Sequence, residues 1–479
     1  MASKPTRLRR SRYRWRPRWM TTGRMVAAAV LVVALVGGVF AYRTLDGLAH
    51  VFNTNVPSVI GSLIRGRSGS SIETNQVAND KRINIALYGY GGPGHDGEYL
   101  TDSIMIISIQ PHPNGPPQVA EISIPRDWYV PIYDPSGQRV DEGRINQAYE
   151  DGILFGEGGV PAGQADSGGV MADAALTHLL GIPIDYFVGL DFTAFEQAVN
   201  AVGGIDIDVP VGFVDNQYPA CAADSCPYET ISFNTGEQHM NGATALIYAR
   251  SRHGDNGQGS DFARSQRQQQ IVDALKQKLL SIGGIGDLPN LLNALGDNVD
   301  TNLTIDDAEA IYNLVDAVPS SAILHVSLDD TNFLYDCGYP TNCGADYLFA
   351  DDSTYATVAH FIQNVFAGPA ALAEKPTVGI EDGSGTGDGA SGRWAGSFGQ
   401  LGWTTQDLGK VPTRSGTEVV DAGGAADAAA ASWFAAYFGV PVTKVSPPSP
   451  GASVTSDGVI VVLGQDEENA FNNDPGYGS

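Results

Sequence analysis

The chain has 479 residues, four cysteines and a formal net charge of −26. Nine of its 28 basic residues fall within residues 1–24, which contain no acidic residue, so residues 25–479 carry 19 basic and 54 acidic residues, a net charge of −35. So acidic a body repels nucleic acid at long range, which excludes nucleic acid as a partner.

The chain opens on a basic arm, residues 1–24, followed by an uncharged apolar run at 25–42. This run lies at the short end of the roughly 17–25 residues that a transmembrane helix needs. Because basic residues stay on the cytoplasmic side, the arm is predicted to be cytoplasmic and the acidic body to lie outside the cell membrane, in a single-pass protein. A cleaved signal peptide with a long basic region is the alternative, and it exports the same body.

Short apolar runs alternate with helical patterns from about residue 80 onwards. Near-continuous apolarity suits strands that are covered on both faces, and interleaved helices of this length predict an α/β sandwich. The predicted strands are 83–90, 102–111 and 118–125, and the predicted helices are 165–181, 192–204, 261–281 and 351–366.

Changes in composition divide the chain into further parts. A juxtamembrane linker at 43–79 precedes a main domain at 80–370, and a glycine-rich linker at 371–392 separates that domain from a small α/β unit at 393–466. The polar tail at 467–479 has too few apolar residues to fold and is predicted to be disordered.

The cysteines form two close pairs, Cys221 with Cys226 and Cys337 with Cys343, and each pair brackets a turn-rich segment. Two local disulfides are predicted, since the exported body lies in an oxidising compartment. Free thiols are the alternative. A shared zinc site is disfavoured because the spacings of four and five residues are wider than in the usual Cys-x-x-Cys pair.

Arginines concentrate in YARSRHGDNGQGSDFARSQRQQQ, residues 248–270, which holds four of the 13 arginines found in residues 25–479. If ATALIYARSRH is a strand, Arg250 and Arg252 share one face and lie about 7 Å apart. Two such guanidinium groups can hold two phosphoryl groups through bidentate contacts. The alternative is that each arginine is solvated or pairs with a nearby acid such as Asp255.

The same window continues into a predicted helix, for which Ser260 or Asp261 is a suitable N-cap. On this helix Arg264, Arg267 and Gln268 recur at three- and four-residue spacing and form one stripe. The first turn of a helix also favours anions, because of the helix dipole. The window as a whole therefore predicts an anion-binding site.

Two further stretches add residues to this predicted site. In EISIPRDWYV, Arg126 follows a strand, and residues at strand ends in α/β sheets face the ligand crevice. In YGYGGPGHDGEYLTDSIMI, Asp96 and Asp102 flank a glycine loop and offer the hard oxygen ligands that Mg²⁺ takes. His95 in the same loop is interpreted as a loop residue rather than a catalyst.

Six stretches together resemble the LytR-CpsA-Psr family of cell-envelope proteins, in the family's order and over about residues 80–285. The tandem of SIPRD, YARSRH and D-x-x-R-x-x-R-Q is specific to that family, and residues 376–466 resemble the LytR C-terminal domain that often follows. The six stretches are LTDSIMIISIQP (100–111), ISIPRDWYV (122–130), RINQAYEDG (144–152), YFVGLDFTAFEQAVNAVGGIDIDV (186–209), GEQHMNGATALIYARSRH (236–253) and DFARSQRQQQIV (261–272).

This resemblance implies a central mixed β-sheet sandwiched by helices, in a membrane-anchored enzyme that faces outward. The expected function is that of a phosphotransferase, which moves a glycopolymer from a polyprenyl-pyrophosphate carrier onto peptidoglycan with the assistance of Mg²⁺ or Mn²⁺. Catalytic roles are expected for Asp102, Arg126, Arg250 and Arg252. By motif position, the residues implied to bind the diphosphate are Arg126, Arg250, Arg252, Arg264, Arg267 and Gln268.

The resemblance also implies a metal site and a slot for the lipid. Asp102 matches the family's metal-linked carboxylate, whereas the family's earlier aspartate, in a G-x-D-x-R stretch, is replaced here by YGYGGPG, with Asp96 as the nearby substitute. Helices at 170–180 and 192–202 are the candidate walls of the slot. Asp102 and Asp127 are the candidate bases towards the accepting hydroxyl.

Two other functions fit the same anion site. One is a pyrophosphatase, which would hydrolyse the diphosphate of the lipid carrier with water as the acceptor. The other is a non-catalytic envelope protein that binds lipid or polysaccharide. A transcriptional regulator conflicts with the export signal and with the acidic body.

Overall fold

The structure is a computed structural model that describes most of the chain from residue 81 onwards. Among the described residues, no helix is long and apolar enough to cross a membrane. Outside them lie the predicted arm (1–24), the predicted transmembrane helix (25–42), nearly all of the linker at 43–79, the pair Cys337 and Cys343, and the tail (467–479). The described residues are 77, 81–112, 115–156, 167–221, 226–281, 299–316, 318–336, 347–350, 355–366, 369–385, 389–423, 426–444 and 458–466.

Strands and helices alternate through most of the described residues. The strands are β1 (Ile83–Tyr90), β2 (Thr101–Gln110), β3 (Gln118–Ile124), β4 (Tyr129–Tyr133), β5 (Arg139–Arg144), β6 (Tyr186–Asp191), β7 (Ile205–Val209), β8 (Phe213–Pro219), β9 (Tyr228–Phe233), β10 (Gly236–Met240), β11 (Val299–Thr301), β12 (Ile323–Ser327), β13 (Leu334–Asp336), β14 (Leu348–Ala350), β15 (Thr377–Asp382), β16 (Thr404–Lys410), β17 (Glu418–Asp421), β18 (Val442–Lys444) and β19 (Val459–Leu463). The helices are α1 (Gln147–Phe155), α2 (Ser167–Leu180), α3 (Phe192–Ala201), α4 (Gly242–Arg250), α5 (Asp261–Ser281), α6 (Ile305–Val315), α7 (Ala356–Gln363), α8 (Pro369–Glu374), α9 (Ala390–Gln400) and α10 (Ala428–Tyr437).

A six-stranded mixed sheet forms the centre of the main domain, in the order β11-β6-β1-β2-β3-β12. Strand β1 pairs in parallel with β6 and antiparallel with β2, and β3 pairs antiparallel with β2 and in parallel with β12. Strands β6, β1, β3 and β12 therefore run in one direction, and β2 runs against them. This arrangement confirms the predicted α/β fold with a central mixed sheet.

The two faces of this sheet have different surroundings, because side chains alternate between them. The cross-strand pair Ala86–Ile106 lies on one face and is fully buried in the main core, together with residues of α2. The next pair, Leu87–Met105, lies on the opposite face and lines a large cavity. One face thus stabilises the fold, and the other is available for a ligand.

The elements predicted for the main domain agree well with the structure. The predicted strands correspond to β1, β2 and β3, and the predicted helices to α2, α3, α5 and a shorter α7. The three strands are almost entirely buried or half-buried, which explains why their apolar residues form runs rather than alternate.

The C-terminal unit contains a five-stranded sheet in the order β16-β15-β19-β17-β18. Its strand β15 falls within 371–392, the range predicted to be a linker. Four of the six residues of β15 are buried, and the strand pairs with both β16 and β19. The linker is therefore shorter than predicted, because a six-residue strand between two others needs few apolar residues to be stable.

The C-terminal unit and the main domain share one apolar core. The ring of Trp394, on α9, lies 5.4 Å from that of Phe333, which in turn lies 4.8 Å from Phe361, on α7. A hydrogen bond of 3.0 Å from the Ser327 main-chain N to Gln400 Oε1 also joins the two units.

Candidate functional site

The residues of the candidate site gather at one edge of the central sheet. Since β1, β3, β6 and β12 run in the same direction, their carboxyl ends meet at this edge, and β2 begins there. Arg126 lies two residues beyond β3, and Asp191 is the last residue of β6. Asp102 and Ser103 lie at the start of β2. Proteins with α/β sheets commonly place their ligands at this kind of edge.

A cavity of about 740 Å³ lies between one face of the sheet and helices α3, α4, α5 and α6. Its volume is within the roughly 300–1,000 Å³ that is usual for small-ligand sites. Ile85 and Leu87 belong to its sheet wall, and Phe195 and Ile311 to its helical wall. Most of this cavity is therefore apolar.

The lining of the cavity changes from charged to apolar along its length. On α5, the lining residues run from Arg264 through Gln268 to Leu275, and the helix rises about 16 Å over that distance. Beyond Leu275 the lining becomes charged again, with Lys276 and Asp316. On the sheet wall, Ser103 lies at the edge and Ile107 lies deeper along the same strand. We call the charged part the head and the apolar part the channel.

Four of the five arginines predicted to bind diphosphate line this cavity: Arg126, Arg250, Arg252 and Arg264. They come from three separate segments, namely the end of β3, the end of α4 with the loop after it, and the first turn of α5. Gln268 also lines the cavity, and its Oε1 accepts a hydrogen bond of 3.0 Å from the Ser103 hydroxyl. The structure thus brings these residues together, and their role in binding stays a prediction.

Arg126 is held in place by two carboxylates. Its Nη1 donates to Asp102 Oδ1, and its Nε donates to Asp127 Oδ2 at 3.2 Å. Burial lowers the pKa of Arg126, but the charges of Asp102 and Asp127 outweigh burial and raise it. Asp127, a candidate base towards the accepting hydroxyl, also forms an ion pair with Arg144 at 3.1 Å. It does not line the cavity, so its role in the structure is to orient Arg126 and Arg144.

Arg250 stacks against aromatic rings. Its Cζ lies 4.2 Å from the centre of the Phe192 ring and 5.9 Å from that of Tyr218. The Phe192 ring also meets the edge of His95, at 5.1 Å between centres. Among the described residues, neither Arg250 nor Arg252 forms an ion pair, so both guanidinium groups can meet an anionic ligand.

The segment ATALIYAR is a helix, so its prediction as a strand was wrong. Helix α4 begins after Asn241, whose side-chain oxygen accepts a hydrogen bond of 2.9 Å from Thr244 N, and it ends at Arg250. The segment packs between α3 and α5, and this tertiary environment overrides a weak local preference for strand. Arg250 and Arg252 therefore reach the head from a helix end and from the following loop, rather than from one strand face.

Arg267 does not line the cavity, which corrects its predicted contact with the substrate. Its buried guanidinium donates to three main-chain carbonyls: that of Tyr248 at 2.9 Å, that of Gln258 at 3.0 Å and that of Ser251. Burial lowers the pKa of Arg267 to about 10, so it remains charged at neutral pH. By binding these carbonyls it fixes the segment that carries Arg250.

Asp215 fixes the same segment from the other side, and the sequence did not point to it. Its Oδ2 accepts hydrogen bonds from the Ser251 hydroxyl at 2.7 Å and from His253 N at 3.1 Å. Burial raises the pKa of Asp215, but the hydrogen bonds from Ser251 and nearby main-chain N–H groups outweigh burial and lower it. A lone aspartate in FVDNQYP gives no local sign of a contact 36 residues away.

Only one of the two carboxylates predicted to hold a metal lines the cavity. Asp102 lines the cavity, whereas Asp96 is exposed in the loop after β1 and does not. A Cβ added at Gly91 would lie 2.7 Å from His95 Cβ, so this loop folds back on itself and leaves no room for a side chain there. Within the described residues, no group of three or more His, Cys, Asp or Glu could hold a metal ion.

Asp191 is a second carboxylate of the cavity, and it was missed by sequence reasoning. Its Oδ1 caps α3 by accepting a hydrogen bond of 2.7 Å from Ala194 N. Burial raises its pKa, which the hydrogen bonds at the start of α3 partly offset. The Asp-Phe-Thr-Ala stretch marks it as an N-cap, but only the parallel pairing of β6 with β1 places it at the head.

One of the two helices predicted to wall a lipid slot does so. Helix α3 lines the cavity through Phe192 and Phe195. The predicted helix at 170–180 is part of α2, which packs in the core on the opposite face of the sheet. Helix α6 lines the cavity instead, through Ile311 and Val315. The two predicted helices are both apolar, so the sequence could not distinguish core from cavity.

The predicted disulfide between Cys221 and Cys226 is present, with the two Cα atoms 5.6 Å apart. It joins the ends of β8 and β9, the hairpin that brings Tyr218 to the cavity. The second predicted pair lies outside the described residues.

The chain is similar in sequence to known proteins. The polyisoprenyl-teichoic acid–peptidoglycan teichoic acid transferase TagV of Bacillus subtilis (strain 168) is 28% identical over 336 residues, which cover 69% of this chain and 74% of the relative. The polyisoprenyl-teichoic acid–peptidoglycan teichoic acid transferase TagU of Bacillus mycoides (strain KBAB4) is 28% identical over 275 residues, covering 57% and 77%. The crystal structure of B. subtilis TagV is 27% identical, with a TM-score of 0.43, and covers 59% of this chain and 96% of that one.

Two family models also match the chain. The model described as LytR cell envelope-related transcriptional attenuator matches residues 375–466, the C-terminal unit. The model described as the LytR_cpsA_psr family matches residues 59–358, which is more than half of the chain. The chain therefore belongs to the LytR_cpsA_psr family.

Proposed function

We propose that this protein is a phosphotransferase that moves a glycopolymer from a polyprenyl-pyrophosphate carrier onto peptidoglycan during cell-wall assembly. The observation that carries the proposal is a single cavity in which an arginine-lined head continues into an apolar channel. A lipid diphosphate has the same two parts, a charged group and a hydrocarbon chain. The similar proteins TagV and TagU are named as transferases of teichoic acid to peptidoglycan, which supports the same reaction class.

The arginines would bind the diphosphate and neutralise its charge. Phosphoryl transfer depends mostly on positioning and on stabilising the charge that spreads over the phosphoryl oxygens. Arg250 and Arg252 approach from one side of the head and Arg264 from the start of α5, where the helix dipole adds to its charge. Arg126, held by Asp102, completes the group.

Bond making and breaking follow from this placement. The oxygen of an acceptor hydroxyl attacks the phosphorus that bears the glycopolymer. The bond from that phosphorus to the bridging oxygen breaks, and polyprenyl phosphate leaves along the channel. A phosphodiester then joins the glycopolymer to the acceptor.

We propose Mg²⁺ or Mn²⁺ as an ion that enters with the diphosphate. Mg²⁺ commonly binds through one or two carboxylates plus substrate phosphates. Asp102 fits this arrangement because it lines the head, and Asp96 does not because it lies outside the cavity. When bound, the ion would neutralise part of the charge on the diphosphate.

The proposed location is the outer side of the cell membrane. The apolar run at 25–42 would anchor the body beside the bilayer that contains the lipid carrier. The disulfide between Cys221 and Cys226 suits an oxidising compartment of this kind.

Transfer can be measured with the full-length protein in detergent, a polyprenyl-pyrophosphate-linked oligosaccharide and peptidoglycan glycan chains, with and without EDTA. The wild type is expected to release polyprenyl phosphate and to leave a phosphate-linked oligosaccharide on the glycan. Arg250→Ala is expected to lower kcat/KM about 10- to 100-fold, since a charged hydrogen-bond donor contributes roughly 1.5–3 kcal/mol. Arg139→Ala is the control, because Arg139 is exposed and lies outside the cavity.

The outcomes separate the candidate functions. Equal release of phosphate with and without glycan would favour the pyrophosphatase. Binding of the lipid without any release would favour the non-catalytic protein. Transfer that is unchanged in Arg250→Ala would show that the arginine head is not the donor site.

A further inference from the structure

A second cleft, of about 460 Å³, adjoins the head. The two cavities share four lining residues: Asp102, Ser103, Arg264 and Gln268. Unlike the channel, the second cleft has many polar side chains in its wall, namely those of Ser260, Ser265, Ser327, Asp329, Asp330 and Thr331. Such a wall suits a hydroxyl-rich ligand better than a hydrocarbon chain.

Asp329 is the buried carboxylate of this cleft, with a relative exposure of 5%. It lies two residues beyond β12, as Arg126 lies two residues beyond β3. The two strands are parallel neighbours, with Ser327 opposite Ser123, so Asp329 and Arg126 lie at the same edge of the sheet. Asp329 is therefore placed beside the head and on the side of the second cleft.

One oxygen of Asp329 is used by the protein and the other is not. Its Oδ1 accepts hydrogen bonds from Thr331 N at 2.9 Å and from the Thr331 hydroxyl at 2.5 Å. Its Oδ2 is buried and has no partner at hydrogen-bond geometry among the described residues, although the nearby Ser327 side chain also stabilises the charged form of this carboxyl. A buried acceptor without a donor costs about 1–3 kcal/mol, and more when charged, so this oxygen points to a ligand that donates a hydrogen bond.

Burial also changes how readily this carboxyl takes up a proton. Burial raises the pKa of Asp329, and the charge of Asp330 adds to this, whereas the hydrogen bonds from Thr331 and the Ser327 side chain partly offset it. A carboxylate with a raised pKa is a better proton acceptor than an exposed one.

We propose that the second cleft is the acceptor subsite, in which a sugar hydroxyl of a glycan chain donates a hydrogen bond to Asp329 Oδ2 and is directed at the diphosphate. This inference rests on the proposed function, because it requires a lipid diphosphate in the adjoining head. On transfer, the hydroxyl oxygen bonds to phosphorus, the bridging P–O bond breaks, and the hydroxyl proton passes to Asp329 and then to solvent.

Asp329→Asn tests this role, because the amide oxygen can still accept the hydrogen bonds of Thr331 while the carboxylate is lost. With full-length protein, transfer to glycan chains is expected to fall about 100-fold, at the low end of general-base effects. The Kd of a polyprenyl pyrophosphate is expected to stay at the wild-type value. Asp134→Asn is the matched control: Asp134 is equally buried and binds Ser136 N at 2.8 Å in a similar turn, outside both cavities.

A second variant, Ser265→Phe, fills part of the cleft and keeps the Asp329 carboxylate. Ser265 lines the second cleft and not the channel, so this change is expected to raise KM for the glycan and to leave the Kd of the polyprenyl pyrophosphate unchanged. Wild-type transfer by Asp329→Asn, or wild-type KM in Ser265→Phe, would overturn the acceptor subsite and leave the proposed function intact. Loss of lipid binding in Asp329→Asn would also overturn the acceptor subsite. Absence of transfer by the wild type would overturn both the acceptor subsite and the proposed function.

Discussion

At the scale of single residues, arginines that look alike in the sequence have different surroundings. Arg264 lines the head and Arg267 is buried among carbonyls, although they are only three positions apart on one helix. A helix turns by about 100° per residue, so Arg267 and its neighbour Gln268 face different directions. The sequence predicted a cationic cluster correctly, but which arginine faces the cavity depends on where α4 lies against α5.

Arg252→Lys tests whether the head needs the planar guanidinium group of Arg252, with its two parallel N–H donors, or only a positive charge. Lysine keeps the charge but cannot form two parallel hydrogen bonds to a phosphoryl group, so we expect transfer to fall about tenfold or more. The measurement is kcat/KM for the lipid-linked donor, with Arg139→Lys as the control on the exposed strand β5. Full activity of Arg252→Lys would contradict bidentate binding at this position.

At the scale of elements, the secondary structure of α4 could not be predicted from its local sequence. Its residues are compatible with either a strand or a helix, and its packing between α3 and α5 decides the outcome. By contrast, β1 to β3 and α5 were predictable, because buried strands and a long helix leave strong patterns over many residues. Contacts between distant segments, such as that of Asp215 with Ser251, leave no such pattern.

Arg267→Lys tests how firmly α4 is joined to α5. A lysine ammonium cannot reach all three carbonyls that Arg267 binds, and each buried acceptor left without a donor costs about 1–3 kcal/mol. We expect the free energy of unfolding in urea to fall by about 2–3 kcal/mol. Arg414→Lys is the control, since Arg414 forms a half-exposed pair with Glu418, and a change above about 0.5 kcal/mol is not expected there.

A loss of unfolding free energy in Arg267→Lys no larger than in Arg414→Lys would contradict this structural role. Arg267 would then again be a candidate for contact with the ligand.

At the scale of the whole molecule, the C-terminal unit is built into the main domain rather than tethered to it. Trp394 is 5% exposed, and its ring lies 5.4 Å from Phe333 and 5.5 Å from Phe438. The His360 ring lies 2.9 Å from the carbonyl oxygen of Tyr437 across the same interface. Composition marked a glycine-rich boundary here, but it could not show that the apolar faces on either side meet.

Trp394→Ala is expected to destabilise both units together. Removing a buried tryptophan typically costs about 3–5 kcal/mol, and the cavity left behind would lie in the shared core. Thermal unfolding should keep one transition at a lower temperature, with Phe155→Ala, at 64% exposure, as the control. A separate early transition, with the main domain unfolding at its original temperature, would show that the units are independent.

The length of the channel limits how much of the carrier lipid the protein can enclose. The roughly 16 Å of helix from Arg264 to Leu275 spans the head and the channel together, so the channel accommodates only the first isoprene units of a long polyprenyl chain. Under the proposed function, the far end of the lipid never leaves the bilayer during a reaction cycle. The spent carrier can then slide back into the membrane along the path by which it came, without extraction into water.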